Sequence, residues 1–443
     1  MPNLQQLSTK RNVPTLANPD IIQPYSESYK KYVLYVLTGV YIFNFIDRQI
    51  LVILSESIKT DLGLSDTQLG FLTGFAFAVF YVLMGIPIAR LADKSNRKKI
   101  IAISLTVWSA MTVISGRALN FTQLALARIG VGIGEAGASP AAHSMISDYF
   151  PANRRATALA VYSMGIYIGI LLGYLFGGWL DEFFGWRTAL MVLGLPGIIY
   201  AVFFYFTVKE PPRGYADDLK ADKATNFRMS EVITLLLSRK AFLCIAFGAG
   251  IHCFSVYGVG NWLPSYLTRL YGMERGEIGT WLALGSGGGG AIGVWLGGYL
   301  TDKFGQNNRR LYLLIPTMAI LASLPLLALM LMTANKYIVV ISNMFVKTLW
   351  SFYLAPCIAM AHGMVGLRMR AMSSAVFYLF LNLIGLGLGP LFIGILSDYL
   401  NPQFGQESLR WALSLGLIMC AIAAFLFWRG SVFLENDLDK APQ

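Results

Sequence analysis

Four charged residues in the first third of the chain have almost entirely apolar neighbours. Asp47 and Arg48 lie inside one apolar segment, and Arg128 and Glu135 lie in the stretch ARIGVGIGEAG of another. A charge at the centre of a membrane segment costs about 2.5–3.5 kcal/mol on insertion scales, so such residues are expected to be paired or functional. Acidic and basic side chains held together can bind an anion, and the acids can take up and release protons. The pattern predicts a functional charge cluster.

Two neighbouring patterns suggest enzymes or nucleotide binding, but neither has the required context. GIGEAG at 132–137 fits the dinucleotide motif, which needs a preceding strand, whereas here it lies within an apolar run. We expect its glycines, and those repeated every four residues over 165–177, to allow close helix packing. Ser139 and His143 could form a nucleophile and its base, but a continuous helix offers no free amide donors. We therefore expect no enzymatic activity.

Apolar segments long enough to cross a membrane recur along the whole chain. Of its 443 residues, 56% are hydrophobic and 13% are charged, whereas about a quarter of a soluble protein is charged. A helix of about 20 apolar residues crosses the hydrocarbon core. Twelve such runs, called spans 1 to 12, lie at 32–55, 67–91, 98–118, 121–147, 156–180, 188–208, 241–270, 278–300, 311–333, 337–365, 371–399 and 410–430. The expected fold is an all-α integral membrane protein with twelve transmembrane helices.

The net charge of +11 could indicate nucleic-acid binding, but the basic residues are segregated by side. When residues at the ends of spans are counted with the adjoining connection, 25 of the 35 Lys and Arg residues lie in the tails and after even-numbered spans, and 7 lie on the opposite side. The other three, Arg48, Arg128 and Lys347, lie deep within spans. Basic connections remain on the cytoplasmic side during insertion. We expect a multi-pass protein of the plasma membrane with both termini in the cytoplasm, and no nucleic-acid partner.

The longest polar connection separates six spans from the other six. The turn ARLADKSNRKK after span 2 matches GYLTDKFGQNNRR after span 8, which aligns Asp93 with Asp302. Two related six-helix halves are typical of transporters, whose binding site lies where the halves meet near the bilayer midplane. The predicted organisation is a cytoplasmic tail, an N-terminal half, a linker, a C-terminal half and a second tail, at 1–31, 32–208, 209–240, 241–430 and 431–443.

The later part of the linker predicts a short helix. Its apolar residues share one helical face, and Ser230 is a suitable N-cap; they are Met229, Val232, Ile233, Leu236 and Leu237. Such a helix either lies on the inner leaflet or docks on the surface of the protein itself.

The arrangement of spans and several short motifs resemble those of a known family. The twelve spans, the long linker and the Asp-Lys turns after spans 2 and 8 resemble the major facilitator superfamily. NFIDRQI in span 1, LADKSNRKK after span 2 and RIGVGIGEAG in span 4 resemble the spinster-like lipid transporters. The usual turn has glycines where this chain has Ala89 and Asn96. The resemblance implies proton-linked or facilitated movement, for which we expect export, of amphipathic lipids such as sphingosine phosphates or lysophospholipids.

Two other functions remain open. The anion:cation symporters of the same superfamily share a similar GEAG helix and the DR of span 1, so a proton-coupled organic-anion symporter is one alternative. A channel is the other, although a channel needs a continuous polar lining and charges within the spans are few here. The expected partners are a small-molecule or lipid substrate and the membrane lipids.

The resemblance also implies a gate at the cytoplasmic face. In the superfamily, the Asp of the turn after span 2 meets the positive N-terminal end of the eleventh helix, and the Arg of that turn pairs with an acid below the fourth. In this chain, the resemblance implies that Asp93 meets the eleventh helix and that Arg97 pairs with Asp148. Arg90 is a further residue of the expected gate. The alternative is simple solvated charge.

Polar groups deep in other spans are candidates for substrate binding. Lys347 lies about 15 Å from the outer end of span 10 at 1.5 Å per residue, and it could hold an anionic head group. His252 in span 7 and Asn382 in span 11 are further candidates, each of which could instead be a satisfied interhelical hydrogen-bonding group. His143 in span 4 completes this set.

The charges of spans 1 and 4 are expected to lie at similar depths in the membrane. Asp47 lies about 12 Å and Arg128 about 10 Å from the outer surface, so the two share a level if spans 1 and 4 line one cavity. Glu135 lies two helical turns deeper than Arg128. We predict that Asp47, Arg48, Arg128 and Glu135 form a proton-coupling group, with the proton as coupling ion and no cofactor or metal. A static ion network that only fixes helix packing is the alternative.

Overall fold

The computed structural model describes residues 25–216, 229–366 and 369–440, and this part of the chain is helical and contains no β-strand. The remainder of the predicted tails and linker lies outside the described residues. Within the described part, eight helices are long and apolar enough to cross a membrane. Two of them, Asn153–Thr207 and Met372–Asp439, cover two spans each, and spans 4 and 8 are interrupted helices. The twelve predicted spans are confirmed.

Each half contributes six helical spans. The N-terminal half contains Glu27–Ile53 (span 1) with the short helix Ser55–Leu62, Asp66–Gly70 and Ala76–Lys94 (span 2), Arg97–Ser115 (span 3), Phe121–Glu135 and Ala138–Tyr149 (span 4), and Ala152–Thr207 (spans 5 and 6). The C-terminal half contains Lys240–Tyr271 (span 7), Arg275–Leu282 and Gly290–Gly305 (span 8), Leu311–Met332 (span 9), Lys336–Trp350 and Leu354–Gly363 (span 10), Arg370–Phe380 and Gly389–Phe404 (span 11), and Ser408–Asp439 (span 12).

Three spans of the described chain contain a π-helical segment. The π-helical segments are Phe71–Phe75 in span 2, Ala283–Gly289 in span 8 and Leu381–Leu388 in span 11. Such segments disturb the regular hydrogen-bond ladder and occur frequently at functional sites. Spans 5 and 6 are separated at Gly185, whose φ of 79° is accessible to glycine without strain.

The glycines repeated along span 5 pack against the backbone of span 1. A Cβ atom on Gly165 would lie 2.9 Å from the carbonyl oxygen of Thr38, and one on Gly169 would lie 2.6 Å from that of Ile42. No side chain fits at these distances, so only glycine permits this separation of the two helices. The predicted close packing is confirmed.

The two ends of the helical bundle are called the terminal face and the far face. At the terminal face, the main-chain N–H of Tyr25 donates to the hydroxyl of Tyr215 after span 6, over 2.7 Å. At the same face, Arg239 before span 7 donates to the carbonyl oxygen of Lys440 after span 12. The far face carries the connections that follow odd-numbered spans.

The linker helix, Met229–Leu237, docks on the protein. Val232 and Leu236 are fully buried in the core of the C-terminal half, whereas Ile233 and Leu237 are exposed. One part of the predicted apolar face packs against spans 7 and 11. The other part is exposed.

The two halves pack closely in the part of the bundle nearest the far face. A Cβ atom on Gly70 of span 2 would lie 2.4 Å from the carbonyl oxygen of Pro390 in span 11, and one on Gly279 of span 8 would lie 2.4 Å from that of Tyr174 in span 5. Towards the terminal face, Tyr378 of span 11 is 41% exposed. The structure is therefore closed at the far face.

Candidate functional site

The central feature of the N-terminal half is an ion pair between spans 1 and 4. The Nε atom of Arg48 lies 2.7 Å from Oε2 of Glu135, whose side chain is fully buried. Glu135 is the last residue of the first helix of span 4, before the interruption at 136–137. The glycines of the motif allow this position, because a Cβ atom on Gly132 would lie 2.7 Å from the carbonyl oxygen of Phe77 and one on Gly134 would lie 2.8 Å from the amide of Trp108.

Arg48 is surrounded by aromatic rings. Its guanidinium carbon lies 4.9 Å from the ring centre of Phe45, 4.8 Å from that of Phe77 and 5.0 Å from that of Tyr81. Tyr257 of span 7, in the C-terminal half, is close enough to interact electrostatically with Arg48. A guanidinium over aromatic faces gains cation–π stabilisation, so Arg48 is held at the boundary between the halves with its charge directed into an aromatic environment.

A cluster of tyrosines extends this environment across both halves. Tyr41 and Tyr162 are stacked with ring centres 4.4 Å apart. The cluster joins spans 1, 2, 5, 7 and 11, and its members lie within electrostatic range of Arg48 or of one another: Tyr41, Tyr81, Tyr162, Tyr167, Tyr257 and Tyr378. A tyrosine offers an apolar ring and a polar hydroxyl. Sequence reasoning did not identify this cluster, because tyrosines occur throughout the chain.

Asp47 and Arg128 lie beside this pair but are oriented differently. Both side chains are nearly fully buried. Nη1 of Arg128 donates to the main-chain carbonyl oxygen of Asp47 over 3.4 Å, and the Asp47 carboxyl group faces Trp108 and Thr112 of span 3. Successive residues of a helix point about 100° apart, which is why Asp47 faces span 3 while Arg48 faces the aromatic rings. The structure brings all four predicted charges together, with Arg48 and Glu135 as the direct pair.

Lys347 and His252 lie together in the C-terminal half. Nζ of Lys347 donates to the carbonyl oxygen of Val256 over 3.0 Å and lies 5.4 Å from the ring centre of Trp350. Nε2 of His252 lies 2.9 Å from the carbonyl oxygen of Trp350. These contacts connect spans 7 and 10, and among the residues that the structure describes none of them reaches the charges of the N-terminal half.

The other two substrate candidates lie nearer the boundary between the halves. His143 is exposed, and its ring centre lies 5.3 Å from that of Tyr162 in the tyrosine cluster. Asn382 is half-buried in the π-helical segment of span 11. His143 is thus the candidate that the structure connects with the aromatic environment of Arg48.

Comparison with known proteins identifies the family. A sequence model described as Major Facilitator Superfamily matches residues 37–383. The chain belongs to this superfamily. The crystal structure of a bacterial homolog of the human lysosomal transporter Spinster, in an inward-facing and unoccupied conformation, is similar with a TM-score of 0.86 and 31% identity, and the match covers 93% of this chain and 99% of that one. The superfamily member is spinster-like.

Two curated relatives extend this similarity. An MFS-type efflux pump of Mycolicibacterium smegmatis is 33% identical over 404 residues, which cover 91% of this chain and 93% of the relative. A sphingosine-1-phosphate transporter of Danio rerio is 26% identical over 424 residues, which cover 91% of this chain and 84% of the relative. The similarity therefore extends over nearly the whole length of this spinster-like protein.

At the terminal face, the predicted gate residue Arg97 is buried in the N-terminal half of the spinster-like protein. It pairs with Asp148, and its Nε lies 2.7 Å from Oε1 of Glu210. Glu210, which sequence reasoning missed, follows span 6 and also accepts from the main-chain N–H of Lys98. Arg90 is exposed, and the side chain of Asp93 lies outside what the structure describes.

A second charge network, which sequence reasoning missed, joins the halves at the far face. Nη1 and Nη2 of Arg269 on span 7 each lie 2.8 Å from a carboxylate oxygen of Asp66 at the start of span 2. Asp66 also accepts from Lys59 and from Ser397 of span 11, and Arg269 pairs with Glu56 through its Nε over 2.9 Å. The sequence carries no local signal for these contacts, since Asp66 and Arg269 lie about two hundred positions apart.

Proposed function

We propose that this spinster-like protein exports amphipathic lipids of the sphingoid or lysophospholipid type by proton-linked alternating access. One observation carries the proposal. Arg48 lies at the boundary between the halves, paired with the fully buried Glu135 and surrounded by aromatic rings. An anionic head group would bind the guanidinium, and the alkyl chain would lie along the rings of the tyrosine cluster.

Substrate and proton are coupled through competition for Arg48. A buried carboxylate that loses the cation directly paired with it is strongly destabilised, and it recovers stability by taking up a proton. A head group that binds Arg48 therefore favours protonation of Glu135, and release of the head group favours loss of that proton. Lipid and proton thus cross in the same direction, and net export is driven by the concentration gradient of the lipid. Asp47 is the second carboxyl of the group, and the four charges titrate together rather than separately.

The charge distribution and the similar proteins support the orientation and direction proposed here. The terminal face carries most of the Lys and Arg residues of the chain, so it lies in the cytoplasm of a cell whose plasma membrane holds the protein. The similar crystal structure is inward-facing, which agrees with the closed far face. The relatives named as an efflux pump and as a sphingosine-1-phosphate transporter support export of a lipid.

Purified protein in liposomes tests this function. We expect saturable transport and counterflow of a fluorescent lysophospholipid or of sphingosine 1-phosphate, stimulated by an imposed pH gradient. Transport of an aldarate such as glucarate, without lipid transport, would show an organic-anion symporter instead. Flux that neither saturates nor shows counterflow would indicate a channel.

The Lys347→Ala substitution should change substrate preference. A charge-assisted hydrogen bond to an anionic head group contributes about 1.5–3 kcal/mol, so we expect the KM for an anionic lipid to rise by roughly tenfold or more while the KM for a zwitterionic lipid changes little. The measurement is paired uptake of the two lipids. Lys336→Ala, at the far-face end of the same span, is the matched control. Unaltered preference would show that Lys347 only connects span 10 to span 7.

A further inference from the structure

We infer that two carboxylates at the far face, Asp398 and Glu182, are gating residues that hold the halves together by accepting main-chain hydrogen bonds from the opposite half. The inference rests on the alternating access of the proposed function, but it concerns residues that neither bind substrate nor carry the coupling proton.

The first contact joins span 11 to span 2. Asp398, near the end of span 11, accepts from the main-chain N–H of Asp66 over 3.0 Å and from that of Thr67 over 2.7 Å. The first amides of a helix have no partner within the helix and carry partial positive charge. Asp398 therefore satisfies two amides of the N-terminal half with a side chain of the C-terminal half.

The second contact is its counterpart in the other pair of spans. Oε2 of Glu182, near the end of the span 5 helix, accepts from the main-chain N–H of Gly276 in the first turn of span 8 over 2.7 Å. Asp181 beside it accepts from Ser57 and pairs with Arg275 at 3.3 Å. Spans 5 and 11 occupy corresponding places in the two halves, as do spans 2 and 8. The same type of contact therefore closes the far face at both places.

Carboxylates with the same spacing stand at the opposite ends of these span pairs. Leu-x-Asp-x-x-Asn occurs at 91–96, at the end of span 2, and again at 396–401, at the end of span 11. Asp302 stands at the end of span 8 on the terminal face, where we expect it to contact the start of span 5 when that face closes. Asp302 is exposed, and its hydrogen bond in the described part of the chain comes from Tyr312 of its own half, over 3.4 Å.

Alternating access closes one face at a time, and spans 2 and 11 diverge with distance from the far face, since a Cβ atom on Gly387 would lie 3.4 Å from that of Ala78. Spans 2 and 11 approach most closely near the far face, where a Cβ atom on Gly394 would lie 2.3 Å from the carbonyl oxygen of Asp66. Closing their terminal ends would separate Asp398 from span 2. The π-helical segments Phe71–Phe75 and Leu381–Leu388 lie between the two ends, where a helix bends most readily.

Spin-label distances test the inference without substrate and at one pH. Labels at Thr60 and Gln403 report on the far face, and labels at Lys99 and Gln306 report on the terminal face, all exposed positions in opposite halves. The labelled proteins lack the four native cysteines. For the double variant Asp398→Asn and Glu182→Gln, we expect the ratio of far-open to terminal-open molecules to rise roughly tenfold. The reason is that each substitution removes a negative charge from the positive N-terminal end of a helix in the opposite half.

Matched variants decide between a gating and a structural role. Asn401→Ala, one turn from Asp398 and exposed, should leave the ratio unchanged, and Asp398→Glu should give an intermediate ratio. Adding Asp302→Asn to the double variant should return the ratio towards that of the unsubstituted protein. A folded double variant with the original distances at both faces would overturn the inference. The experiment contains neither lipid nor a pH gradient. Such a result would therefore not bear on the proposed lipid transport, which the liposome assay tests separately.

Discussion

Replacing Asp47 by Asn and Glu135 by Gln together should abolish proton-driven transport and the response of the protein to pH. The amides keep the size of the carboxyl groups but cannot gain or lose a proton. In the unsubstituted protein, the ratio of inward-open to outward-open molecules should change between mildly acidic and alkaline pH. The double variant should hold one ratio throughout. Spin-label distances across both faces, with uptake under an imposed pH gradient, measure the two effects.

A matched control separates this effect from a general loss of surface charge. Asp61→Asn removes an exposed carboxyl at the far face, where the hydrogen bond and charge of Arg187 lower the pKa of that carboxyl. Asp61 therefore stays ionised over the pH range of the experiment, and its substitution should leave the pH response intact. If the double variant folds, binds lipid and still changes conformation with pH, the four charges form only a structural ion network.

Replacing Arg269 by Ala should open the far face. The side chains of Arg269 and Asp66 are only 13% and 5% exposed, and removing one partner of a nearly buried pair leaves the other charge uncompensated. Lys59 and Ser397 remain on Asp66, so we expect a loss of about 2 kcal/mol from the closed far face, or roughly thirtyfold in the conformational ratio. Glu56 loses its partner as well.

Accessibility of a buried position measures this opening. Asn261, which donates to the carbonyl oxygen of Thr73 across the boundary between the halves, is 7% exposed. A cysteine at this position should react with a membrane-impermeant maleimide from the far side much faster in Arg269→Ala than in the parent. Arg187→Ala removes an arginine that pairs with Asp61 inside one half of the same face, so it is the control. Equal labelling rates in all three proteins would exclude Arg269 from the gate.

The sequence alone determined the membrane fold and the position of the charge cluster. Twelve helices follow from the length and composition of the apolar runs, because a membrane admits few other structures for such segments. The charges of spans 1 and 4 could be located because an ionised group is expensive in apolar surroundings, so Asp47, Arg48, Arg128 and Glu135 are conspicuous wherever they stand. Depth along a helix follows from a fixed rise per residue.

The tertiary structure decided which groups meet. Depth alone placed Arg128 level with Asp47, but the rotation and separation of the helices make Arg48 the partner of Glu135, since Gly132 and Gly134 bring span 4 against spans 2 and 3. Lys347 binds a carbonyl of span 7, a contact that no periodicity indicates. The far-face network joins groups from opposite halves of the chain. Those contacts exist because two six-helix halves close against each other, and pairing at such sequence separation depends on packing between helices rather than on any local pattern.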